Sequence, residues 1–202
     1  MNIRTIIMTT LLFCLCITGA KQALASVTNE VKSMVDEVVR IVSDKEMKKP
    51  QNEQKRRNAL KKAISTIFDY GEMTQRSMGK HWKERSPAEK KELVQLFETL
   101  LENSYAGKIE SYNQEKIVYL KENVESEYAD VRSKVITAKR DEFSLDYRLM
   151  SKGGRWMVYD VVIEGVSLVS NYRTQFNNII QRQGYGELVK KLRVKSEEIK
   201  AP

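Results

Sequence analysis

Chemistry has few places to sit in this chain. It carries one histidine, His81, and two cysteines, Cys14 and Cys16. His81 lies in a Gly-Lys-His-Trp-Lys stretch and would need an orienting carboxylate before it could act as a base. The acid in the most unusual setting is Asp160, inside the apolar run Trp156 to Ile163. There it is either a buried base with a raised pKa, as in some isomerases of cone-shaped α+β folds, or a structural partner of Arg173 or another cation. Glu164, beside Gly165, reads as a turn residue. The sequence has no phosphate-binding glycine loop, no H-E-x-x-H and no acidic metal loop, so neither catalytic residues nor metal ligands are assigned.

The start of the chain removes more candidates. Arg4 precedes an apolar run from Ile6 to Ile17, and Ala23-Leu24-Ala25 forms a small-residue cleavage site before Ser26. This is the layout of a secretory signal peptide over residues 1–25. Its core is shorter than the roughly 20 apolar residues a bilayer span needs. Both cysteines fall within it, so the exported protein is expected to have no thiol and no disulfide. The remainder, one domain over 26–197 with a flexible tail at 198–202, is long enough to bury a core. It has no further segment apolar enough for a membrane, and is expected to be soluble in an exported compartment.

Losing Arg4 and Lys21 with the leader takes the formal net charge from +8 to +6. The cations are dispersed, as in Lys48-Lys49, Lys55-Arg56-Arg57 and Lys190-Lys191, and most suit a solvated face. They also suit attraction to anionic lipid head groups or to an acidic partner. No basic stripe is interleaved with aromatics, so nucleic acid is not expected.

The elements that would position these residues follow from periodicity. Val31, Met34, Val35, Val38, Val39 and Val42 recur at helical spacing over about 27–44. A second helix is expected over about 51–68, with Leu60, Ala63, Ile64 and Ile67 on its apolar side, and a short one over about 71–79. Ser86, Pro87 and Glu89 form a capping box that opens a long helix of about 25 residues, roughly 37 Å. Its stripe runs through Leu93, Leu96, Phe97, Leu100, Leu101, Tyr105, Ile109 and Tyr112. The period then changes to that of strands over 116–124, 127–139 and 142–151. Gly153-Gly154 makes a hairpin turn into a fourth strand, 156–163, which is apolar on both faces apart from Asp160. Two helices follow, over about 167–182 and 185–197. Helices, then a meander, then helices give an α+β order. A strand dry on both faces needs either further helices or something enclosed against its second side.

The run Trp156-Met157-Val158-Tyr159-Asp160-Val161, followed by Glu164-Gly165-Val166-Ser167, Tyr172-Arg173 and Phe176, resembles the C-terminal signature of the MlaC family. Phe68-Asp69-Tyr70, Met73, Arg76, Gly79, Trp82, Phe97, Leu100, Leu101 and Tyr105 stand in the order that family shows, as does the later Gly184-Tyr185-Gly186-Glu187-Leu188. The resemblance covers about 30–195. It implies an antiparallel curved sheet of the cone-shaped, NTF2-like type, packed with several helices around a deep apolar cavity. It implies a periplasmic phospholipid carrier, with phospholipid as cargo and no cofactor. It also implies two membrane partners: an outer-membrane lipoprotein complex, and an inner-membrane MCE-domain protein with its ABC transporter. The protein itself is expected to be a monomer.

On this reading the pocket wall comprises Phe97, Leu101 and Tyr105 on the long helix, and Leu145, Tyr147 and Leu149 on the third strand. Met157, Tyr159 and Val161 on the fourth strand join it, with Val166, Val169 and Tyr172 after it. Either face of the 156–163 strand could meet the ligand, because a one-residue shift exchanges them. Arg173 and Lys80 are candidate head-group contacts. Two other readings stay open. One is an enzyme of the same fold class using Asp160 as acid and base on a small hydrophobic substrate. The other is an exported interaction module or chaperone with a filled core.

Overall fold

Turn and cap chemistry divides the chain where the periodicity changes. The computed structural model describes residues 26–197. The expected leader, 1–25, and the tail, 198–202, lie outside the described residues. Six helices and five strands follow in order: α1 (Val27–Ser43), α2 (Glu53–Ser65), α3 (Tyr70–Met78), α4 (Pro87–Glu110), β1 (Lys116–Glu125), β2 (Tyr128–Ile136), β3 (Glu142–Lys152), β4 (Arg155–Ile163), β5 (Val166–Ser167), α5 (Leu168–Gln183) and α6 (Tyr185–Glu197). The fold is α+β, as expected.

The capping box at α4 is present in full. Ser86 N donates to Glu89 Oε2 at 2.7 Å, and Glu89 N donates to Ser86 Oγ at 3.3 Å. Pro87 occupies the first helical position, where its missing N–H costs nothing. Gly153 and Gly154 take φ of +59° and +78°, the left-handed pair that a tight hairpin needs.

The five strands form one antiparallel sheet in the order β1-β2-β3-β4-β5. α2 ends earlier than its apolar pattern suggests, at Ser65. Residues 67–69 leave the helix to lie beside β4: Val158 N donates to Ile67 O at 2.7 Å, and Asp69 N donates to Val158 O at 2.9 Å. Asp69 then caps α3, accepting from Glu72 N at 3.0 Å. Strand pairing wins over helix propensity here because it satisfies backbone groups that the helix end would leave open.

Apolar side chains gather in separate bodies. One forms between α1 and the inner face of the sheet, from Val27, Val31, Ala129, Val131, Leu149, Trp156 and Val158. Another forms among α3, α4, α5 and α6, around Met73, Leu93, Phe97, Phe176 and Leu188. A small third one joins α1 to α2 through Ile41, Val42, Leu60 and Ala63.

Candidate functional site

A cavity of about 1520 Å³ separates these bodies. β1 to β4 contribute Ile117, Val135, Phe143, Leu145, Tyr147, Val161 and Ile163 to its wall. α1 contributes Met34, Val35, Val38, Val39 and Val42; α2 adds Leu60 and Ile64; α4 adds Leu101, Tyr105, Ile109 and Tyr112. One end is closed by Phe68, Tyr70 and Met73. Toward the start of α2 and the end of α4 the liners become exposed and polar, with Gln51, Gln54, Asn58, Lys108 and Ser111 marking the mouth.

The interior is uncharged. Burial pushes the Tyr147 phenol well above its ordinary range, and burial followed by the charges of Glu102 and Glu98 does the same to Tyr70. Tyr119, beside the same core, is pushed up to about 12 by burial and then by Asp36. Charges are confined to the α2–α4 edge. Lys61 reaches Glu98 at 3.1 Å and Glu102 at 2.9 Å, and Arg56 reaches Glu110 at 3.2 Å. On the same wall, Arg57 Nε and Asn103 Nδ2 are buried without a hydrogen-bond partner among the described residues.

Of the residues read from the sequence as pocket wall, Leu101, Tyr105, Leu145, Tyr147 and Val161 line this cavity. The others lie elsewhere, each for a physical reason. β4 contains a bulge: Arg148 pairs with Asp160 and Leu149 with Val158, so Tyr159 has no partner residue. The bulge reverses facing partway along the strand. Trp156 and Val158 point to the core in the first half and Val161 and Ile163 point to the cavity in the second. Met157 and Tyr159 therefore sit on the outer face, where Tyr159 meets the edge of Tyr128 and holds the Arg76 guanidinium 4.0 Å from its ring centre.

Leu149 faces inward, but at the end where α1 packs tightly on the sheet. Phe97, Val169 and Tyr172 belong to the helical body, with Phe97 and Tyr172 edge to face at 5.1 Å. Val166 is 57% exposed in β5. Neither proposed head-group contact reaches the cavity. Lys80 is exposed in the turn after α3, and Arg173 Nε donates to Arg76 O at 2.7 Å, fixing α5 to the end of α3.

Asp160 is 2% exposed and fully engaged. It accepts from Ser167 Oγ at 2.6 Å, Val169 N at 3.0 Å and Arg148 Nη1 at 3.2 Å. It thus ties the start of α5 to the sheet, with Arg148 rather than Arg173 as its cation. Being on the outer side of the bulge, it does not face the cavity. His81 Nε2 lies 3.1 Å from Asn177 Oδ1, linking the turn after α3 to α5. No group of three or more His, Cys, Asp or Glu among the described residues is placed to hold a metal ion.

The α1 and α2 liners were not among the expected wall residues. Their signal was the breadth of the α1 stripe, six apolar positions from Val31 to Val42, which spacing alone cannot distinguish from ordinary core.

Known proteins share this arrangement. A phospholipid-binding protein from Ralstonia solanacearum, solved in complex with a phospholipid, superposes with a TM-score of 0.78 at 29% identity, covering 86% of this chain and 98% of that one. The intermembrane phospholipid transport system binding protein MlaC of Haemophilus influenzae is 28% identical over 120 residues. That match takes in 57% of this chain and 56% of the relative, just over half the length of each. The MlaC protein family model matches residues 32–194, from within α1 to the last turns of α6, and the chain belongs to that family.

Proposed function

We propose that this protein is a periplasmic phospholipid carrier. The observation that carries the reading is the size and dryness of the cavity. Its volume of about 1520 Å³ exceeds the roughly 300–1,000 Å³ of ordinary small-molecule sites, and its wall is mostly aliphatic and aromatic. Moving one acyl chain of about 16 carbons into water costs roughly 0.8 kcal/mol per CH₂, on the order of 13 kcal/mol. Lipid therefore needs a dry container to cross an aqueous compartment. The cavity offers one, with Leu101, Tyr105, Leu145, Tyr147 and Val161 meeting the chains and the polar mouth left to the head group.

Carriage requires no bond to be made or broken, so the protein acts without catalysis or cofactor. Asp160, the candidate acid and base of the enzyme reading, is engaged three times and faces away from the hollow. We place the carrier between an outer-membrane lipoprotein complex and an inner-membrane MCE-domain protein with its ABC transporter, working as a monomer. The leader at 1–25 supplies export, and no helix among the described residues is long and apolar enough to cross a membrane. Direction then comes from the partners' relative affinities or from ATP use at the transporter.

Native mass spectrometry of the protein purified from bacteria tests this. Co-purified phospholipid, identified after extraction, is the expected result. Protein that never acquires lipid, even after incubation with vesicles, would overturn it.

A further inference from the structure

The mouth of the cavity lies at one end of the molecule, and that end has its own charge pattern. The α1–α2 connection, the start of β1 and the β2–β3 turn all meet there. They present Lys45, Lys48, Lys55, Lys116, Lys139 and Arg140, all exposed, and none makes an ion pair among the described residues. The neighbouring acids are engaged. Asp44 accepts from the backbone of Glu46 and Met47, Glu46 holds Lys49 at 2.8 Å, Glu53 holds Arg57 at 2.9 Å, and Glu142 holds Lys134 at 2.7 Å. Asp141, beside Arg140, is the exception.

The opposite end is mixed in sign. There the β1–β2 turn carries exposed Glu125 and Glu127, and the adjoining β3–β4 hairpin carries exposed Lys152, held by Asp69, and Arg155. Unpaired cations thus gather at the mouth, while the closed end carries both signs.

We propose that the mouth end docks directly on an anionic lipid surface. Cations gathered around an aperture attract a negatively charged bilayer, so the field turns the opening toward the membrane. The attraction is local and unsupported by any inserted apolar segment, so it is transient and reversible. The inference rests on the carrier reading and adds a membrane-facing end to it. Vesicle binding and cavity occupancy are measured separately, so either can fail alone.

The test uses co-sedimentation with vesicles of phosphatidylcholine containing about 30% phosphatidylglycerol, against pure phosphatidylcholine. Each cation removed near the surface should weaken partition about fivefold, so Lys48→Gln/Lys139→Gln/Arg140→Gln should lose about a hundredfold. The wild type should also release when salt shortens the screening length. A control, Lys83→Gln/Lys91→Gln, removes exposed cations from the turn before α4 and from α4 itself, away from the mouth, and should change binding by less than about threefold. Native mass spectrometry should find lipid occupancy unchanged in both variants, which shows that the fold and cavity persist. Two outcomes overturn the proposal. One is no preference of the wild type for anionic vesicles, which would leave these cations to an acidic protein. The other is an equal loss per cation in the control, which would make the effect one of net charge alone.

Discussion

Phe97 and Tyr105 share one stripe of α4, but Phe97 lies inside the helical body while Tyr105 packs on its edge and lines the cavity. Around Phe97 the neighbours close in: Tyr172 and Phe176 meet it edge to face at 5.1 and 5.5 Å, and the residue is fully buried. Two turns further along, Tyr105 faces the cavity across from the sheet and stays only partly buried. The side chains are of similar size and chemistry, so composition does not explain the difference. What differs is the number of partners. α3, α5 and α6 pack around the first half of α4, whereas its second half has α2 beside it, tied by ion pairs at the edge, and touches α1 and α2 through Ile109 and Tyr112 at its end. A hollow forms where an apolar helix face outruns the elements available to cover it.

The largest effect that sharpens this contrast is Phe97→Ala. In the filled body it should cost about 3–5 kcal/mol in urea or thermal unfolding, because a cavity is created where none existed. Leu145→Ala, on the hollow side, should cost less than the roughly 2–5 kcal/mol usual for a filled core, since part of its surface already faces empty space. Equal losses at the two sites would break the distinction between filled and hollow halves.

Next in size is Asp160→Asn. Weakening charge-assisted bonds to Arg148, Ser167 and Val169 should cost about 1.5–3 kcal/mol by denaturant titration, with lipid occupancy of the folded protein unaltered. A change in occupancy without loss of stability would place Asp160 functionally at the cavity after all.

Filling the hollow gives the complementary result. Leu101→Trp and Tyr147→Trp should lower bound phospholipid severalfold by native mass spectrometry, at a stability cost within the roughly 1–3 kcal/mol of an overpacked site. Unchanged occupancy in both would remove these positions from the lipid's path.

The smallest effects are electrostatic. Tyr119 has a folded pKa raised to about 12 against about 10 when unfolded. The stability held by its neutral phenol is present below pH 10 and is lost as pH climbs toward 12, because the unfolded chain gives up its proton first. Unfolding curves across that window should shift less for Tyr119→Phe than for the wild type. At the half-exposed edge, Lys61→Gln should change stability by only about 0–1 kcal/mol, as a screened surface pair would.

These two interiors also mark what the sequence could reveal. The α4 helix was legible to within a residue because its signals are local: a capping box, a proline and a regular stripe. The strands and the Gly153-Gly154 hairpin were legible for the same reason. The partition of the α4 stripe was not, since it depends on which helices return to pack on it. The face of β4 was hidden more deeply. Alternation places Met157, Tyr159 and Val161 together, and only the pairing with β3 reveals the unpaired Tyr159 that separates them. The α1 wall escaped because a valine stripe facing a void has the spacing of one facing a core.

The supernumerary residue in β4 has a further effect. If Tyr159 took a partner on β3 and the strand kept strict alternation, everything beyond it would change sides. Asp160 would then turn its carboxylate inward, while Val161 and Ile163 would swing out under α5. An uninterrupted strand could serve the dry chamber or anchor the helix, but one miscounted position lets it do both.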